Sequence, residues 1–264
     1  MKKRPLIMGI LNVTPDSFSD GGKFNSIEKA LKRAKEIEEE GADIIDIGGE
    51  STGPNSQNVS LKEELNRVIP VIKRLRQISK LPISIDTYKS EVAKQALENG
   101  ANIINDVTAL RGDKNMAKIA AKYNCPIILM YSKDNSPRTT KKAVEYKDVM
   151  NTIKTFLKSR IKYAKQQGIK NSQIIIDPGM GAFVSGIPEY SFEIIAKLNQ
   201  LKSLKFPILI GISRKSFLGG EIGTRDSKSA ALSAIAYLNG ADIIRTHDIQ
   251  STKQILKHIC QQWN

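Results

Sequence analysis

Polar residues that could bind a charged, planar substrate recur at one kind of position in this sequence, directly after short apolar runs. The run PLIMGIL at 5–11 is followed by Asn12, and the run PISID at 82–86 ends in Asp86. Short runs of this kind are typical of buried strands, so the polar residues stand where strands end. Other residues at such positions are Glu50, Ser51, Thr52, Asn105, Asp177, Ser213, Arg214, Lys215, Arg245 and His247.

The residue types at these positions match a heterocycle that has both donor and acceptor edges, with an anion beside it. Asp177 can accept two parallel N–H bonds, while Lys215 can donate to a ring oxygen or nitrogen. Asn12, Arg245 and His247 supply the cationic and metal-coordinating groups that a phosphate requires. Singly, such residues also cap helices and form turns, so it is their combination that indicates a binding site.

The elements that must position these side chains alternate between strands and helices along the chain. Short β-branched runs predict strands at 5–11, 43–47, 82–86, 103–106, 126–130, 174–177, 208–212 and 243–246. Amphipathic patterns predict helices from about residue 25 and at 61–75, 90–98, 115–123, 146–167, 190–203, 227–239 and 251–261. Ser60 and Glu63 form a capping box before the second of these helices.

About eight such units predict an α/β fold, a single-domain TIM (β/α)8 barrel over residues 1–264. In a barrel of this type the carboxyl ends of the strands share one rim, which would bring the polar residues together. An open, doubly wound sheet is the alternative, although no GxGxxG turn follows the first strand.

The first loop is long for a connection between a strand and a helix. It is predicted to run from Asn12 to Phe24, because Asn25 stands as a helix cap three residues before Glu28. The loop contains Asp16, Ser17, Ser19, Asp20 and the pair Gly21 and Gly22. Loops of this length are often substrate lids, and the alternative is a disordered surface turn.

Composition and charge narrow the class of protein. No apolar stretch approaches the roughly 18 residues that span a bilayer, and no cleavage site follows the basic start, so we expect a cytoplasmic protein without membrane partners. Cys125 and Cys260 have no metal-ligand spacing and are predicted to be reduced structural thiols. The net charge of +14 could indicate nucleic-acid binding. The Lys residues are spread over helix faces without aromatic partners, so we predict a solvated surface that attracts small anions.

Seven motifs together resemble the dihydropteroate synthase family. They are GILNVTPDSFSDGG (9–22), DIGGEST (46–52), SIDT (84–87), IND (104–106), DPGMG (177–181), SRKS (213–216) and RTHD (245–248). The resemblance covers nearly the whole chain in order. It implies a TIM barrel that condenses 7,8-dihydropterin-6-ylmethyl diphosphate with 4-aminobenzoate, giving 7,8-dihydropteroate and pyrophosphate. Members of the family are usually homodimers.

The same resemblance implies roles for individual residues. Pterin binding is expected from Asp86, Asn105, Val107, Met130, Asp177, Gly211 and Lys215. Binding of 4-aminobenzoate is expected from Thr52, Pro54, Phe183, Lys215 and Ser216, where Ser216 is predicted to open a helix whose free N–H groups hold the carboxylate. Asn12, Arg245 and His247 are expected to bind the diphosphate, with Asn12 also binding Mg²⁺. Catalysis is expected from Asp86, Asp177, Lys215, Arg245 and His247.

Two departures from the family pattern affect this assignment. Gly53 stands where the family commonly has an Arg before Pro, so one diphosphate contact is missing. Ala182, Phe183 and Val184 stand where the family commonly has Phe-Gly-Lys, so Phe183 would replace a ring from the neighbouring position. Two other functions stay open at this point: a pterin-binding module for methyl transfer, and a pterin-binding paralogue that has lost catalysis.

Overall fold

A computed structural model describes residues 4–14 and 23–260. The strands of this part are β1 (Leu6–Asn12), β2 (Ile44–Gly48), β3 (Ile83–Asp86), β4 (Ile103–Asp106), β5 (Ile127–Met130), β6 (Ile174–Asp177), β7 (Leu209–Ile210) and β8 (Ile243–Thr246). They form one parallel sheet in the order β6-β5-β4-β3-β2-β1-β8-β7. A parallel bridge between Ile176 and Ile208 joins the two ends of that order, which closes the barrel and excludes the open doubly wound sheet.

Helices surround the barrel, one after each strand. They are α1 (Lys23–Glu40), α2 (Leu61–Ile78), α3 (Ser90–Glu98), α4 (Met116–Lys122), α5 (Val149–Gln166), α6 (Glu189–Ala196), α7 (Arg225–Leu238) and α8 (Ile249–Ile259). The Ser60 side chain accepts a hydrogen bond from the backbone N–H of Glu63, as predicted for the start of α2. In the described residues no helix is long and apolar enough to cross a membrane.

Successive side chains of each strand point alternately toward the helices and into the barrel, so the apolar residues form two separate regions. Side chains facing the helices, such as Ile7, Ile45 and Ile85, belong to the large buried layer between barrel and helices. Every second residue faces inward instead, and a small separate cluster fills the barrel interior with Met8, Ile44, Ile103, Ile128, Leu209 and Ile243. Further along several strands, the same inward periodicity turns polar, because two-residue steps lead from Ile44 to Asp46 and from Ile103 to Asn105.

The first loop is shorter than predicted, and several other elements differ in their bounds. Helix α1 begins at Lys23, two residues before Asn25, and the loop residues 15–22 lie outside the described residues. The helix predicted at 190–203 is interrupted, because α6 ends at Ala196 and a 3-10 helix continues over Leu198–Leu204. The strand predicted at 208–212 keeps only Leu209–Ile210 in the ladder.

The prediction that Ser216 opens a helix is wrong, whereas its predicted contact with a carboxylate stays a prediction. Only a single 3-10 turn, Ser216–Leu218, follows the SRKS motif. Gly219 ends this turn with a φ of 65°, a conformation that glycine adopts more readily than other residues. One such turn lacks the aligned peptide dipoles of a longer helix, so any role of Ser216 has to come from its own side chain or N–H group.

Candidate functional site

Arg245 is the centre of a buried charged network at the carboxyl end of the barrel. It lies in β8, and its Nε atom donates to Asp46 at 2.6 Å while Nη2 donates to Asp86 at 2.7 Å. Burial opposes the charged guanidinium, but the attraction of Asp46 and Asp86 outweighs it and raises the pKa of Arg245. The guanidinium therefore stays charged and is held in one orientation by two carboxylates from different strands.

Asp46 is a functional candidate that the sequence reasoning did not assign. Its side chain is fully buried, and Oδ2 accepts from both Arg245 and the Nδ2 atom of Asn105, at 3.1 Å. Oδ1 has no hydrogen-bond partner within the described part of the chain. Asp46 thereby fixes the orientation of both Asn105 and Arg245, since one carboxylate oxygen holds an amide and a guanidinium together.

Asp177 and Lys215 are buried ionisable groups at the same end of the barrel. Asp177 ends β6, and its Oδ1 accepts from the backbone N–H of Gly179 at 2.7 Å. Burial raises the pKa of Asp177 to about 6, although that hydrogen bond and the charge of Lys215 oppose the increase. Burial likewise lowers the pKa of Lys215 to about 8, against the attraction of Asp177. Shifts of this size in opposite directions are typical of functional sites.

Asp86 adds a second carboxylate with a raised pKa. Burial is the largest cause, the charge of Arg245 opposes it, and the neighbouring carboxylate of Asp46 adds to it. A ligand that brings N–H donors to Asp86 and Asp177 would replace hydration that both groups have lost in the folded protein.

Three apolar side chains, called here the apolar wall, lie beside these charged groups. Val107, Met130 and Phe183 form a small buried cluster of their own, separate from the main core. The Nζ atom of Lys215 lies 5.0 Å from the centre of the Phe183 ring, within range of a cation–π contact. The family resemblance assigned Val107 and Met130 to the pterin and Phe183 to 4-aminobenzoate, and the structure places the three side chains in one cluster.

Gly211 follows β7 and lies next to the aliphatic part of the Arg245 side chain. A Cβ atom built on Gly211 would lie 3.8 Å from both Cβ and Cδ of Arg245, which is ordinary contact distance. A larger side chain at this position would occupy space beside the guanidinium, so glycine keeps that space open for a ligand.

Asn12 and His247 lie at the ends of adjacent strands. Asn12 ends β1 with its side chain exposed, and its Oδ1 atom lies 3.9 Å from a Cβ atom built on Gly48. Burial, with the positive charges of Arg245 and Arg214, lowers the pKa of His247 to about 3. The imidazole is therefore neutral at physiological pH, so it can act as a hydrogen-bond donor or acceptor but not as a cation.

Asn12 is a suitable ligand for Mg²⁺, because a carboxamide oxygen is a hard donor. Across residues 4–14 and 23–260 no group of three or more His, Cys, Asp and Glu side chains could hold a metal ion. Mg²⁺ commonly keeps several waters and is shared between few protein ligands and substrate phosphates. The residues present therefore fit a metal ion that arrives with a phosphorylated substrate.

The loop after β2 carries Thr52 and Pro54 and is connected to two other loops. The carbonyl oxygen of Thr52 accepts from the backbone N–H of Thr139 at 3.1 Å, and the Thr139 hydroxyl donates to the carbonyl oxygen of Ala182 at 2.8 Å. Ala182 directly precedes Phe183, so Thr139 links the two segments predicted to bind 4-aminobenzoate. Gly53 is partly exposed, and its φ lies outside the left-handed region.

A second charged cluster, also missed by the sequence reasoning, supports this loop. Lys89 donates to Glu50, to Glu64 and to the carbonyl oxygen of Val59, while Arg138 forms an ion pair with Glu50. Both Glu side chains are at least 98% buried. The cluster joins the loops that follow β2, β3 and β5 to the start of α2.

A closed parallel barrel with this set of buried groups at its carboxyl end defines a pterin-binding barrel enzyme. Residues 8–247 match the family described as pterin binding enzyme. Dihydropteroate synthases from Clostridium beijerinckii and from Synechocystis are 46% and 43% identical to this chain in sequence. These alignments cover 97% and 99% of this chain, and 93% and 91% of the relatives. The chain belongs to the dihydropteroate synthase family.

Solved structures agree with this assignment. The dihydropteroate synthase of Xanthomonas albilineans with 4-aminobenzoic acid has a TM-score of 0.90 and 40% identity, over 97% of this chain and 92% of that one. The same enzyme in complex with 7,8-dihydropteroate has a TM-score of 0.87 and 38% identity, with the same coverage. The predicted fold, family and enzyme class are thereby confirmed.

Proposed function

We propose that this chain condenses 7,8-dihydropterin-6-ylmethyl diphosphate with 4-aminobenzoate, releasing 7,8-dihydropteroate and pyrophosphate for folate synthesis. The observation that carries the proposal is the set of charged groups at one barrel end, the buried Asp46 and Asp177 with the partly buried Asp86, Lys215 and Arg245. Such a set suits a small ligand with several N–H donors, a ring oxygen and an attached anion.

The pterin is bound between the carboxylates and the apolar wall. Asp177 accepts two parallel N–H bonds from the amidine edge of the ring, and Asn105, oriented by Asp46, bonds the ring beside it. Lys215 donates to a ring oxygen or nitrogen. Val107 and Met130 exclude water from the ring faces, which strengthens each hydrogen bond inside the slot.

Departure of the diphosphate develops positive charge on the pterin methylene group. Asp86 and Asp177 stabilise that charge as fixed carboxylates in a site of low polarity, so they contribute most in the transition state. Arg245 and His247 bind the departing diphosphate, the former as a cation and the latter through a neutral N–H group. Asn12 would hold Mg²⁺, which would supply Lewis-acid stabilisation of the leaving group.

The aryl amine of 4-aminobenzoate then attacks the methylene carbon, so that a C–N bond replaces the broken C–O bond to the diphosphate, and the anilinium formed loses its proton to water. Thr52, Pro54 and Phe183 form its pocket, while Lys215 and Ser216 bind its carboxylate. The loop contacts made by Thr139 support this arrangement, because they hold the segments of Thr52 and Phe183 at a fixed separation. No strong general base is needed, since positive charge on the methylene makes it reactive toward a weak nucleophile.

The protein is proposed to act as a cytoplasmic homodimer. Exposed apolar side chains on the neighbouring helices α6, α7 and α8 support a second copy as partner: Phe192, Ile235, Leu238 and Ile259. Leu238 is 61% exposed. Cys125 and Cys260 are free and buried, which fits a reducing compartment. The absence of nucleic-acid and membrane partners stays a prediction.

An omission experiment tests the proposed reaction. Purified protein is given the pterin diphosphate, 4-aminobenzoate and Mg²⁺ together, and then each mixture that lacks one of them, while released pyrophosphate and pteroate are measured. We expect both products in equal amounts only in the complete mixture. Pyrophosphate release that is independent of 4-aminobenzoate, or pterin binding without any turnover, would contradict the proposal.

A further inference from the structure

Ser213 and His247 lie at equivalent positions after the adjacent strands β7 and β8. Ile210 of β7 is paired in register with Ile244 of β8, and Ser213 and His247 each lie three residues further on. The hydroxyl oxygen of Ser213 lies 2.9 Å from Nδ1 of the imidazole. The same oxygen accepts the backbone N–H of His247 at 3.1 Å.

The direction of the hydrogen bond between hydroxyl and ring follows from counting donors. The backbone N–H of His247 can only donate, so it occupies a lone pair of the hydroxyl oxygen. The oxygen keeps a second lone pair, but if that pair accepted from an N–H on Nδ1, the hydroxyl hydrogen would have no acceptor, because Nδ1 is the sole acceptor in hydrogen-bond contact with it within the described residues. A hydroxyl that donates to Nδ1 leaves this nitrogen without hydrogen. In a neutral imidazole the hydrogen must therefore be on Nε2.

The protonation state decides what the ring offers to an anion. A ring with hydrogen on Nε2 presents a donor from its free edge, whereas the other tautomer presents a lone pair that repels a phosphate oxygen. His247 also borders a cavity of about 350 Å³, which leaves open space beside this residue; the cavity is lined in addition by Ile10, Arg33, Glu40, Arg214, Asp226, Asp248 and Gln250.

We propose that Ser213 is a positioning residue that holds His247 in the Nε2–H tautomer, so that the ring donates a hydrogen bond to the diphosphate. The part concerning diphosphate rests on the function proposed above. The part concerning the tautomer stands on the geometry of the two hydrogen bonds alone. The lowered pKa of His247 supports the same conclusion, because a neutral ring has two possible tautomers to be distinguished.

Nuclear magnetic resonance of protein labelled with ¹⁵N-histidine tests the tautomer directly. The chain has two histidines, which the variant His258→Gln distinguishes. His258 is an internal reference of opposite type, since its Nδ1 faces the carbonyl oxygen of Gln254 at 2.8 Å and must carry hydrogen to bond there. We expect His247 to give the Nε2–H pattern at neutral pH. An Nδ1–H pattern, or an average of the two, would overturn the proposal.

Variants of Ser213 then test the consequence for binding. Ser213→Ala should give His247 a mixed or inverted tautomer and weaken pyrophosphate binding by about 2-fold to 10-fold, equivalent to one ordinary hydrogen bond. Ser213→Thr keeps a hydroxyl and should restore both readouts. In a His247→Ala background, Ser213→Ala should change pyrophosphate affinity by less than about 2-fold.

The outcomes separate this proposal from the proposed function. An equal loss of pyrophosphate affinity in the His247→Ala background would show a structural role of Ser213 and would overturn the proposal. An unchanged tautomer in Ser213→Ala would overturn it as well. If His247 has the Nε2–H pattern but pyrophosphate does not bind to the wild-type protein, the proposed function fails while the tautomer assignment stands.

Discussion

Asp46 and Arg245 form an ion pair within the candidate site, with 2.6 Å between Oδ2 and Nε. The Asp46 side chain is fully buried, and the guanidinium also reaches Asp86 from another strand. A buried ion pair costs desolvation energy that its attraction offsets only when the geometry is good. Here the same geometry orients Asn105 and Asp86, so the pair contributes to the shape of the site more than to stability.

Removing Asp46 should therefore damage both the fold and the activity. Asp46→Ala leaves a buried positive charge with Asp86 as its remaining carboxylate partner, and we expect the free energy of unfolding to fall by about 3 kcal/mol. Urea unfolding measures this change. The control is Asp226→Ala, which removes the partner of the more exposed Arg214 and should cost less than about 1 kcal/mol. Equal losses in the two variants would contradict the assignment.

The pH dependence of pterin binding should reflect Asp86, Asp177 and Lys215, because burial also raises the pKa of Asp86, to about 7, so its protonation contributes to the loss of affinity at acid pH. Below pH about 6 Asp177 becomes protonated and stops accepting two N–H bonds, so affinity falls as pH decreases. Above pH about 8 Lys215 loses its charge, so affinity falls again as pH increases. Titrating a pterin without the diphosphate avoids interference from phosphate ionisation. In the variant Lys215→Arg, the part of the loss of pterin affinity at alkaline pH that residue 215 causes should disappear. Persistence of the same decrease would assign it to another group.

Lys89 should control the binding of 4-aminobenzoate from a distance. Lys89→Met leaves Glu64 without its cation and removes one of the two cations that face Glu50, which should loosen the loop that carries Thr52. We expect a several-fold higher KM for 4-aminobenzoate with a smaller change in the KM for the pterin. Lys94→Met, on the exposed side of α3, is the matched control. A similar effect of both substitutions on KM would argue against the cluster.

Gly53→Arg tests the departure from the family pattern. Gly53 is not in the left-handed region, and a Cβ atom there would meet only the Ser51 hydroxyl, at 3.6 Å, so the backbone tolerates a side chain. The added guanidinium should tighten pyrophosphate binding by up to about 1.5 to 3 kcal/mol, with a steeper salt dependence. Gly53→Gln controls for size without charge. Unchanged or weaker binding in the Arg variant would mean that the anion site is built differently in this chain.

The strands, and the presence of polar residues at their carboxyl ends, could be predicted because most strands are short β-branched runs and several end in a polar residue. The barrel then brings residues such as Asn105 and Asp177 to one end by topology, with no contact information needed. Ser216 was misassigned because the motif alone does not distinguish a single 3-10 turn from a longer helix. Bounds such as those of α1 and β7 depend on packing rather than on local pattern.

The residues that sequence reasoning missed share a physical cause. Asp46 lies inside the run DIIDI, where a polar residue gives no sign that a guanidinium from β8 will meet it. Lys89 and Arg138 bind Glu50 across 39 and 88 residues of sequence, and no periodicity links such distant partners. Only the closure of the barrel places these groups together. A carboxylate in the middle of an otherwise apolar strand is the one local signal that could have identified Asp46.

The central claim is that buried carboxylates at the barrel end bind the pterin, and Asp177→Asn tests it most directly. The substitution replaces a charged acceptor by an amide. The N–H groups of this amide would face the N–H donors of the pterin, which costs about 1 to 3 kcal/mol or more. Calorimetric titration with the pterin diphosphate is compared with Asp148→Asn, a change at the cap of α5 where either residue caps well. We predict affinity near that of the wild type for Asp148→Asn, and at least about a 10-fold loss for Asp177→Asn. Pterin affinity in Asp177→Asn equal to that of the wild type would contradict the account.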